Sequence, residues 1–343
     1  MKIISSVLRF ASVAALVVAC TPSESGTANA NYPQQQQPPP PGYYPQQPPP
    51  PGYYPQQPPP QQPPPGPAPH LGGASAELLP PLVGIPAMEQ EVRSILAELV
   101  DALPSATQAR VRGIPLVFDP TIEVNAFAGC EEGGNPFLAG TAGLLEAVDA
   151  IAQTKATDEM FGTRTYDQYS DTVIPQMVRN PKAHPGLPAG LIPAQYGSDP
   201  RRWSRAREIF GDVMAFTFGH ELAHHYLGHT GCANGQAMGP GPSPARLGHL
   251  ATALLPGLNQ PNEIASDGAG AVNALDAGRR RRPRYAWSER GGMLLLDYFS
   301  RLQRAIGINP FSPSAFLRSH PNPQLRMPLV QTVANTWRAR NPG

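Results

Sequence analysis

The spacing of apolar side chains predicts a mainly helical body that begins near residue 88. Apolar residues recur every three to four positions in MEQEVRSILAELVDAL, Met88–Leu103, which consists largely of good helix formers. Helical patterns resume further along the chain, at about Leu144–Ala156, Arg202–Gly228, Glu263–Ala277, Trp287–Ile306 and Pro323–Arg340.

Short β-type runs follow the first predicted helix. Ile114–Phe118, which Asp119-Pro120 ends, and Ile122–Phe127 are predicted as strands, with a third at Phe137–Ala139. Phe161–Pro200 shows no strong period, and forty irregular residues are unusual in a compact domain, so we predict a surface lid or insertion there. Many helices with a small sheet predict an α+β fold.

The N-terminus indicates export. Residues 1–19 carry Lys2 and Arg9 and then a short apolar run that ends in small residues, which predicts a secretory signal and not a membrane span. Val17-Val18-Ala19-Cys20 resembles a bacterial lipobox, in which the cysteine becomes the lipidated N-terminus; an ordinary signal followed by a chance cysteine is the alternative. Because Thr21 is not acidic, we expect the outer membrane of the cell envelope, facing the periplasm.

Residues 20–72 are dominated by a tract that no globular core can use. Asn31–His70 is mostly Pro, Gln, Gly and Tyr, and the unit PPPPGYYPQQ occurs at Pro38–Gln47 and again at Pro48–Gln57. Proline runs favour polyproline II, so we interpret the tract as a semi-rigid spacer that reaches about 100 Å. Residues 73–343 then form one domain. A ligand for a proline-reading module or for the cell wall is the alternative interpretation of the tract.

Charge and cysteine content limit the partners and the compartment. The formal net charge of +1 argues against nucleic acid as the main partner. The run Arg279–Arg284 is interpreted as a solvated loop, with anionic headgroups or lipopolysaccharide as alternative partners. With Cys20 assigned to lipid, Cys130 and Cys232 remain, and an oxidising periplasm favours a disulfide between them over free buried thiols.

The stretch FGHELAHHYLGH, Phe218–His229, holds four of the eight histidines of the chain. Within it, His220-Glu221-Leu222-Ala223-His224 is an HExxH sequence. Residues four apart lie on one helical face, so both rings can reach one ion, and Glu221 lies beside the first ring, ready to take a proton from water. We expect His229 to interact with the dipole at the helix C-terminus, whereas His225 has no assigned role.

Catalytic zinc takes three protein ligands and keeps one position open, so a third ligand is needed. NEIASD, Asn262–Asp267, offers Glu263 as that ligand. Asp267, one turn further on, can accept the free ring N–H of a ligand histidine. A charge favoured at a helix N-terminus is the alternative interpretation of Glu263.

Four segments, which occur along the chain in the same order as in that family, resemble the gluzincin zinc metalloendopeptidases of the HtpX and CAAX-prenyl-protease type. HELAHHYLGH followed by ExxSD is similar to their HExxH followed by ExxAD. The NAFA of Asn125–Ala128 and the GLL of Gly143–Leu145 are similar to elements that precede their active site. Ser319-His320-Pro321, with Arg326 after it, resembles their late SHP…R segment.

The resemblance implies a zincin-type domain with one Zn²⁺ held by His220, His224 and Glu263, and with Glu221 as general base. It implies an edge strand of Asn125, Ala126, Phe127 and Ala128 that pairs with an extended substrate. His320 would donate to the oxyanion or occupy the open zinc position; a cap of the last helix is the alternative. Arg326 would fix substrate or a nearby carboxylate, with a surface ion pair as the alternative.

Departures from the family pattern concern the surroundings of the site. Ser266 replaces the usual alanine, a change that we expect to be harmless. A disulfide between Cys130 and Cys232 would tie the wall of the cleft to the metal helix. Because the chain lacks the membrane helices of the integral relatives, the nearer comparison is the soluble, periplasmic, lipid-anchored branch.

These features predict a lipid-anchored zinc endopeptidase that hydrolyses unfolded or misassembled cell-envelope proteins, as in protein quality control. Two alternatives remain open. One is a zinc-containing, non-proteolytic chaperone or assembly lipoprotein of the outer membrane. The other is a cell-wall tether that acts through its proline tract.

Overall fold

Helices build most of the part of the chain that the structure describes. The structure, a computed structural model, describes residues 77–233, 260–307, 320 and 322–342. In chain order the helices are α1 Ile85–Ala102, α2 Ser105–Val111, α3 Ala142–Phe161, α4 Thr165–Arg179, α5 Ala194–Gly197, α6 Pro200–Tyr226, α7 Gln260–Arg280, α8 Arg290–Ile306 and α9 Pro323–Arg340. The predicted signal peptide, the lipidation site Cys20, the spacer and the residues Ser319 and Pro321 lie outside the described residues.

A three-stranded sheet lies between α2 and α3 in the sequence. Its strands are β1 Leu116–Asp119, β2 Ala126–Cys130 and β3 Pro136–Thr141. The order is β1-β3-β2, with β1 parallel and β2 antiparallel to β3. Strand β2 therefore forms one edge of this sheet. Many helices with this small sheet confirm the predicted α+β class.

Thr141 joins the sheet to the helical layer. Its side-chain oxygen accepts a hydrogen bond from the backbone of Leu144 at 3.0 Å, which caps the N-terminus of α3. The same oxygen accepts from the backbone N–H of Asn125, and the N–H of Thr141 donates to the carbonyl of Asn125 at 3.1 Å. The start of β2 is thereby fixed against the end of β3.

The central element is α6, which is buried along most of its length and packs against α3, α7 and α8. It crosses α7 at two glycines. A Cβ on Gly270 would lie 2.6 Å from the backbone nitrogen of His220, and one on Gly219 would lie 3.0 Å from the carbonyl oxygen of Gly270. Only glycine permits this approach, which brings the first turns of α7 beside the last turns of α6.

Two sequence-based predictions of secondary structure were wrong in detail. The strand expected at Ile122–Phe127 begins only at Ala126, because the preceding residues bond to the start of α3: Thr121 accepts from the N–H of Gly143 at 3.0 Å. The stretch expected to be irregular from Phe161 to Pro200 contains α4, which buries an apolar face on the core. Its periodicity was obscured by Pro175 inside the helix, a residue that normally ends one.

The arginine run is only partly the solvated loop that the sequence predicted. Arg279 and Arg280 belong to the last turn of α7. Arg281 donates to both carboxylate oxygens of Glu98 at 2.7 Å, and its guanidinium lies 4.3 Å from the ring centre of Trp287. Of the helices in the described ranges, none has the length and apolar character needed to cross a bilayer.

Candidate metal centre

Three separate segments deliver polar side chains to one buried cluster. His220, Glu221 and His224 come from α6, and Glu263 and Asp267 come from the first turns of α7. His320 precedes α9, and Arg326 lies in its first turn. All seven are less than 5 % exposed. Four of them, His220, His224, Glu263 and His320, form a group that can hold a metal ion.

The donor atoms of His220, His224 and Glu263 lie close together. The Nε2 atoms of His220 and His224 are 3.0 Å apart, and that of His224 lies 3.3 Å from Oε1 of Glu263. The Nε2 atom of His220 lies 3.5 Å from Oε2 of Glu263. A tetrahedral ion with ligand bonds of about 2.0–2.1 Å separates its ligands by about 3.3 Å. The two ring nitrogens and the two oxygens of Glu263 are therefore close enough together to surround one ion.

A second layer of contacts orients His220. Its Nδ1 atom lies 2.9 Å from Oδ1 of Asp267, so a proton on Nδ1 leaves the lone pair of Nε2 facing the cluster. Asp267 is itself held by Arg326, whose Nε and Nη2 donate to the two carboxylate oxygens at 2.6 and 2.7 Å. Of the two roles considered for Arg326, the structure favours contact with a carboxylate over a surface ion pair.

Among the described residues, the carboxylates of this cluster outnumber its permanent positive charges. Glu221, Glu263 and Asp267 supply three carboxylates, and in the described part of the chain the permanent positive charge in contact with them is Arg326, 3.2 Å from Glu263 and bidentate to Asp267. When all three carboxylates are ionised, the buried net charge is −2. Buried charges occur in proteins paired or bound to metal, so a divalent cation would neutralise this site.

The pKa values of His220 and His224 reflect the same excess of negative charge. Burial lowers the pKa of His220, but its hydrogen bonds to Asp267 and Glu263 outweigh burial and raise the pKa to about 10. Burial lowers the pKa of His224 to about 3, so its ring is neutral, as a metal ligand must be. Burial raises the pKa of Glu263, but the contacts with His320, His220 and His224 outweigh burial and hold this pKa well below the usual range. The cluster thus favours a positive charge beside Glu263.

Glu221 occupies the position that a general base would need. Burial raises its pKa, against the lowering effect of His320 and His220. Its Oε2 atom is buried without a hydrogen-bond partner among the described residues, which is typical of an atom that serves a ligand or water. Its Oε1 atom lies 3.5 Å from Nε2 of His320, whose Nδ1 contacts Oε2 of Glu263 at 2.7 Å. The ring of His320 thus lies between the two carboxylates.

The predicted substrate strand lies close to this cluster. Ala126, Phe127 and Ala128 belong to β2, whereas Asn125 directly precedes it. The backbone N–H of Ala128 is among the groups that lower the pKa of Glu221, so the middle of β2 lies near that carboxylate. The expected edge strand is thus present beside the expected base.

A disulfide joins β2 to the segment that follows α6. Cys130, the last residue of β2, is bonded to Cys232, and their Cα atoms are 6.0 Å apart. This is the pairing predicted from the sequence. It ties the end of the edge strand to the end of the helix that carries the HExxH residues.

The remaining two histidines of the stretch have contacts that the sequence did not reveal. The ring nitrogens of His225 lie 2.9 Å from the carbonyl oxygen of Phe137 and 2.9 Å from Oγ1 of Thr230. Burial lowers the pKa of His225 to about 4, so this ring is a neutral link between α6 and β3. The Nδ1 atom of His229, a residue expected to interact with the helix dipole, lies 3.0 Å from Nδ1 of His224. Neither contact follows from the spacing of these histidines in the sequence.

Comparisons of the chain with protein-family models, with curated proteins and with solved structures found no match.

Proposed function

We propose that this protein is a zinc-dependent endopeptidase of the gluzincin type that hydrolyses unfolded or misassembled cell-envelope proteins. The observation that carries the proposal is the convergence of His220, His224 and Glu263, with donor atoms 3.0–3.5 Å apart, next to the buried Glu221. The resemblance of the surrounding segments to the gluzincin pattern supports it.

The donor set favours zinc over other divalent ions. Two imidazoles and one carboxylate form a ligand set that is common in catalytic zinc sites, whereas calcium and magnesium prefer oxygen ligands alone. We therefore expect one Zn²⁺ per chain. Held by these three residues, zinc would supply Lewis acidity toward a water molecule and a peptide carbonyl.

The side chains around the ion would share the remaining chemistry. Glu221 would take a proton from the attacking water and deliver it to the leaving amine, a role that its raised pKa suits. Asp267 would keep the proton of His220 on Nδ1, and Arg326 would keep Asp267 in place. His320 would donate to the oxyanion or occupy the fourth position at the ion; the experiments below separate these two roles.

Substrate binding is assigned to the edge of β2 that has no strand partner among the described residues. A strand edge without a partner can pair with any extended polypeptide backbone and leaves selectivity to side-chain pockets. Such recognition suits unfolded chains, because folded proteins rarely present an extended segment. Ala126–Ala128 would align the scissile bond with Glu221, close to the N–H of Ala128.

Localisation follows from the N-terminal sequence. Cys20 in the lipobox-like VVAC would carry the lipid, and the proline-rich spacer would hold the domain away from the membrane surface. The substrates would then be periplasmic or outer-membrane polypeptides.

The test combines metal analysis with casein cleavage on the purified protein, Glu221→Gln and Glu208→Gln. Glu208 lies on the same helix but pairs with Arg205 outside the cluster, so its variant is the matched control. We expect one zinc per chain in all three proteins and cleavage by the wild type and Glu208→Gln alone. Equal cleavage by Glu221→Gln would refute the assignment of the base, and absence of zinc would refute the metal site.

A second candidate function is a non-proteolytic assembly factor with structural zinc. It is favoured by His320, whose ring completes a four-donor group, because a closed four-ligand site has no position for water. If His320 closes the site, His320→Ala should gain casein cleavage and become sensitive to a hydroxamate. If His320 supports catalysis, the same variant should lose activity.

A further inference from the structure

His229 contacts the second predicted ligand from the side opposite to Glu263. Its Nδ1 atom lies 3.0 Å from Nδ1 of His224, and their ring centres are 5.1 Å apart. The other nitrogen of His224, Nε2, faces His220 and Glu263. The two nitrogens of His224 therefore have separate partners, one inside the donor cluster and one outside it.

The backbone holds His229 in this position. Gly228 adopts a left-handed conformation with φ of +83°, which reverses the chain directly after α6. The N–H of His229 then donates to the carbonyl oxygen of His224 at 2.8 Å. The two histidines are thus linked through both backbone and ring, so the ring contact is built into the end of the helix.

The positions of the ring protons on His224 and His229 follow from the orientation of the His224 ring, whose Nε2 faces the donor cluster. For Nε2 to offer a lone pair to an ion, the ring proton of His224 must be on Nδ1. That N–H then donates to Nδ1 of His229, which must be an acceptor and carries its own proton on Nε2. His229 would keep the ring proton of His224 on Nδ1, just as Asp267 keeps the ring proton of His220 on Nδ1. The acceptor is a neutral ring in the first pair and a carboxylate in the second.

Ser266 supplies a second contact to the same atom. Its Oγ lies 3.2 Å from Nδ1 of His229, and Ser266 is fully buried on α7 between Glu263 and Asp267. Because Nδ1 has a single lone pair, the hydroxyl would share it with the N–H of His224, which makes the serine contact the weaker of the two. The hydroxyl therefore connects the loop after α6 to the helix that carries the third donor. This is the position at which the chain departs from the alanine of the family pattern, and the contact gives the departure a physical role.

We infer that His229 is a positioning residue of the metal site, which fixes the tautomer and the ring orientation of His224, and that Ser266 holds His229 in place. The inference rests on the metal site of the proposed function. It does not depend on proteolysis, since it concerns how tightly the ion is held.

The experiment measures zinc affinity of the purified full chain by competition with a chromophoric chelator. The variants are His229→Ala, His229→Asn and Ser266→Ala, with His184→Ala as the control. His184 is an exposed histidine that pairs with Glu146 at 3.0 Å, outside the metal cluster. Asparagine is informative because its Oδ1 sits as far along the side chain as Nδ1 of histidine and accepts a hydrogen bond.

We expect His229→Ala to weaken zinc binding about 10- to 100-fold, the usual effect of removing an outer partner of a ligand histidine. His229→Asn should recover most of that loss, Ser266→Ala should weaken binding up to about fivefold, and His184→Ala should bind like wild type. The cobalt-substituted protein should also show an altered visible spectrum in His229→Ala, because the position of the ligand ring changes.

The unfavourable outcomes are distinct. Wild type that binds no zinc would overturn the metal site and this inference together. Zinc affinity in His229→Ala equal to that of wild type would overturn the inference and leave the proposed function standing. An equal loss in His229→Asn and His229→Ala would show that a hydrogen-bond acceptor is not what matters. A lower urea midpoint of metal-free His229→Ala at unchanged affinity would make the residue merely structural, against the inference.

Discussion

The crossing of α6 and α7 at Gly219 and Gly270 sets the distance between the residues that these two helices contribute to the candidate metal centre. His220 follows Gly219 directly, and Glu263 and Asp267 lie on α7 less than two turns and one turn before Gly270. Replacing Gly270 by alanine would place a Cβ 2.6 Å from the backbone nitrogen of His220 and 2.9 Å from its Cα. Both atoms belong to a helix backbone, so no side-chain rotation can relieve the overlap.

The displacement that follows is large compared with the tolerance of the site. Carbon atoms pack at about 3.5–4.0 Å, so the helices must separate locally by about 1 Å. The contact of 2.9 Å between Nδ1 of His220 and Asp267 would then exceed hydrogen-bond range. Ligand distances in metal sites tolerate about 0.2 Å, so Glu263 would also leave its position. We expect Gly270→Ala to lower the free energy of unfolding by about 1–3 kcal/mol and zinc affinity by about 100-fold or more.

Gly268→Ala is the matched control for this substitution. It lies on the same helix two residues earlier, and its Cβ would meet nothing closer than Cγ2 of Val333 at 3.7 Å, an ordinary contact. Since alanine favours helices more than glycine does, this variant should gain about 0.5–1 kcal/mol of stability. Urea unfolding and chelator competition measure both quantities. Wild-type zinc affinity and stability in Gly270→Ala would refute the argument that this crossing sets the geometry of the site.

Three further predictions concern stability and can be checked by urea unfolding. Burial raises the pKa of Asp212 to about 6, above its ordinary 3.8, so the folded state binds this proton more tightly than the unfolded state does. The contribution of Asp212 to the free energy of unfolding should therefore be fully present below pH 4 and should fall by about 3 kcal/mol as the pH rises through 6. In Asp212→Asn, this decrease in the free energy of unfolding between pH 4 and 7 should be absent. Joint replacement of Cys130 and Cys232 by serine should cost about 4–5 kcal/mol, because the disulfide closes a loop of about 100 residues, and a reductant should reproduce this loss only in the wild type. Arg326→Met should cost about 3–5 kcal/mol, because the carboxylate of Asp267 stays buried without its guanidinium partner; a loss below 1 kcal/mol would contradict that pairing.

Helical spacing alone predicted His220 and His224 as ligands, whereas the assignment of Glu263 rested on the resemblance to the gluzincin pattern. His220 and His224 are four residues apart on one helix, and so are Glu263 and Asp267, so the pairing of faces follows from helical geometry. What spacing could not provide is the contact between segments. Arg326 reaches Asp267 across 59 positions of sequence, and whether it would do so or remain on the surface depends on how α9 packs.

The contacts that the sequence did not predict elsewhere in the fold also join segments that are far apart in the chain. His225 was left without a role because its partner is a backbone carbonyl of β3, 88 positions away, and every residue type offers such a carbonyl. The start of β2 was misplaced because the carbonyl of Thr121 accepts from the N–H of Gly143 in α3, and the carbonyl of Glu123 accepts from the side chain of Thr141, so neither residue joins the strand pairing. Backbone partners of this kind leave no mark on composition or periodicity.

The disulfide between Cys130 and Cys232 also bears on how many non-native cysteine pairings can form during oxidative folding. The protein has three cysteines, and three thiols allow three different single pairings. A lipid attached to the sulfur of Cys20, as proposed, would remove two of them and leave only the pairing found in the structure. An exported chain of this kind would need an oxidant but no enzyme to rearrange wrong bonds, because no wrong intramolecular bond could form.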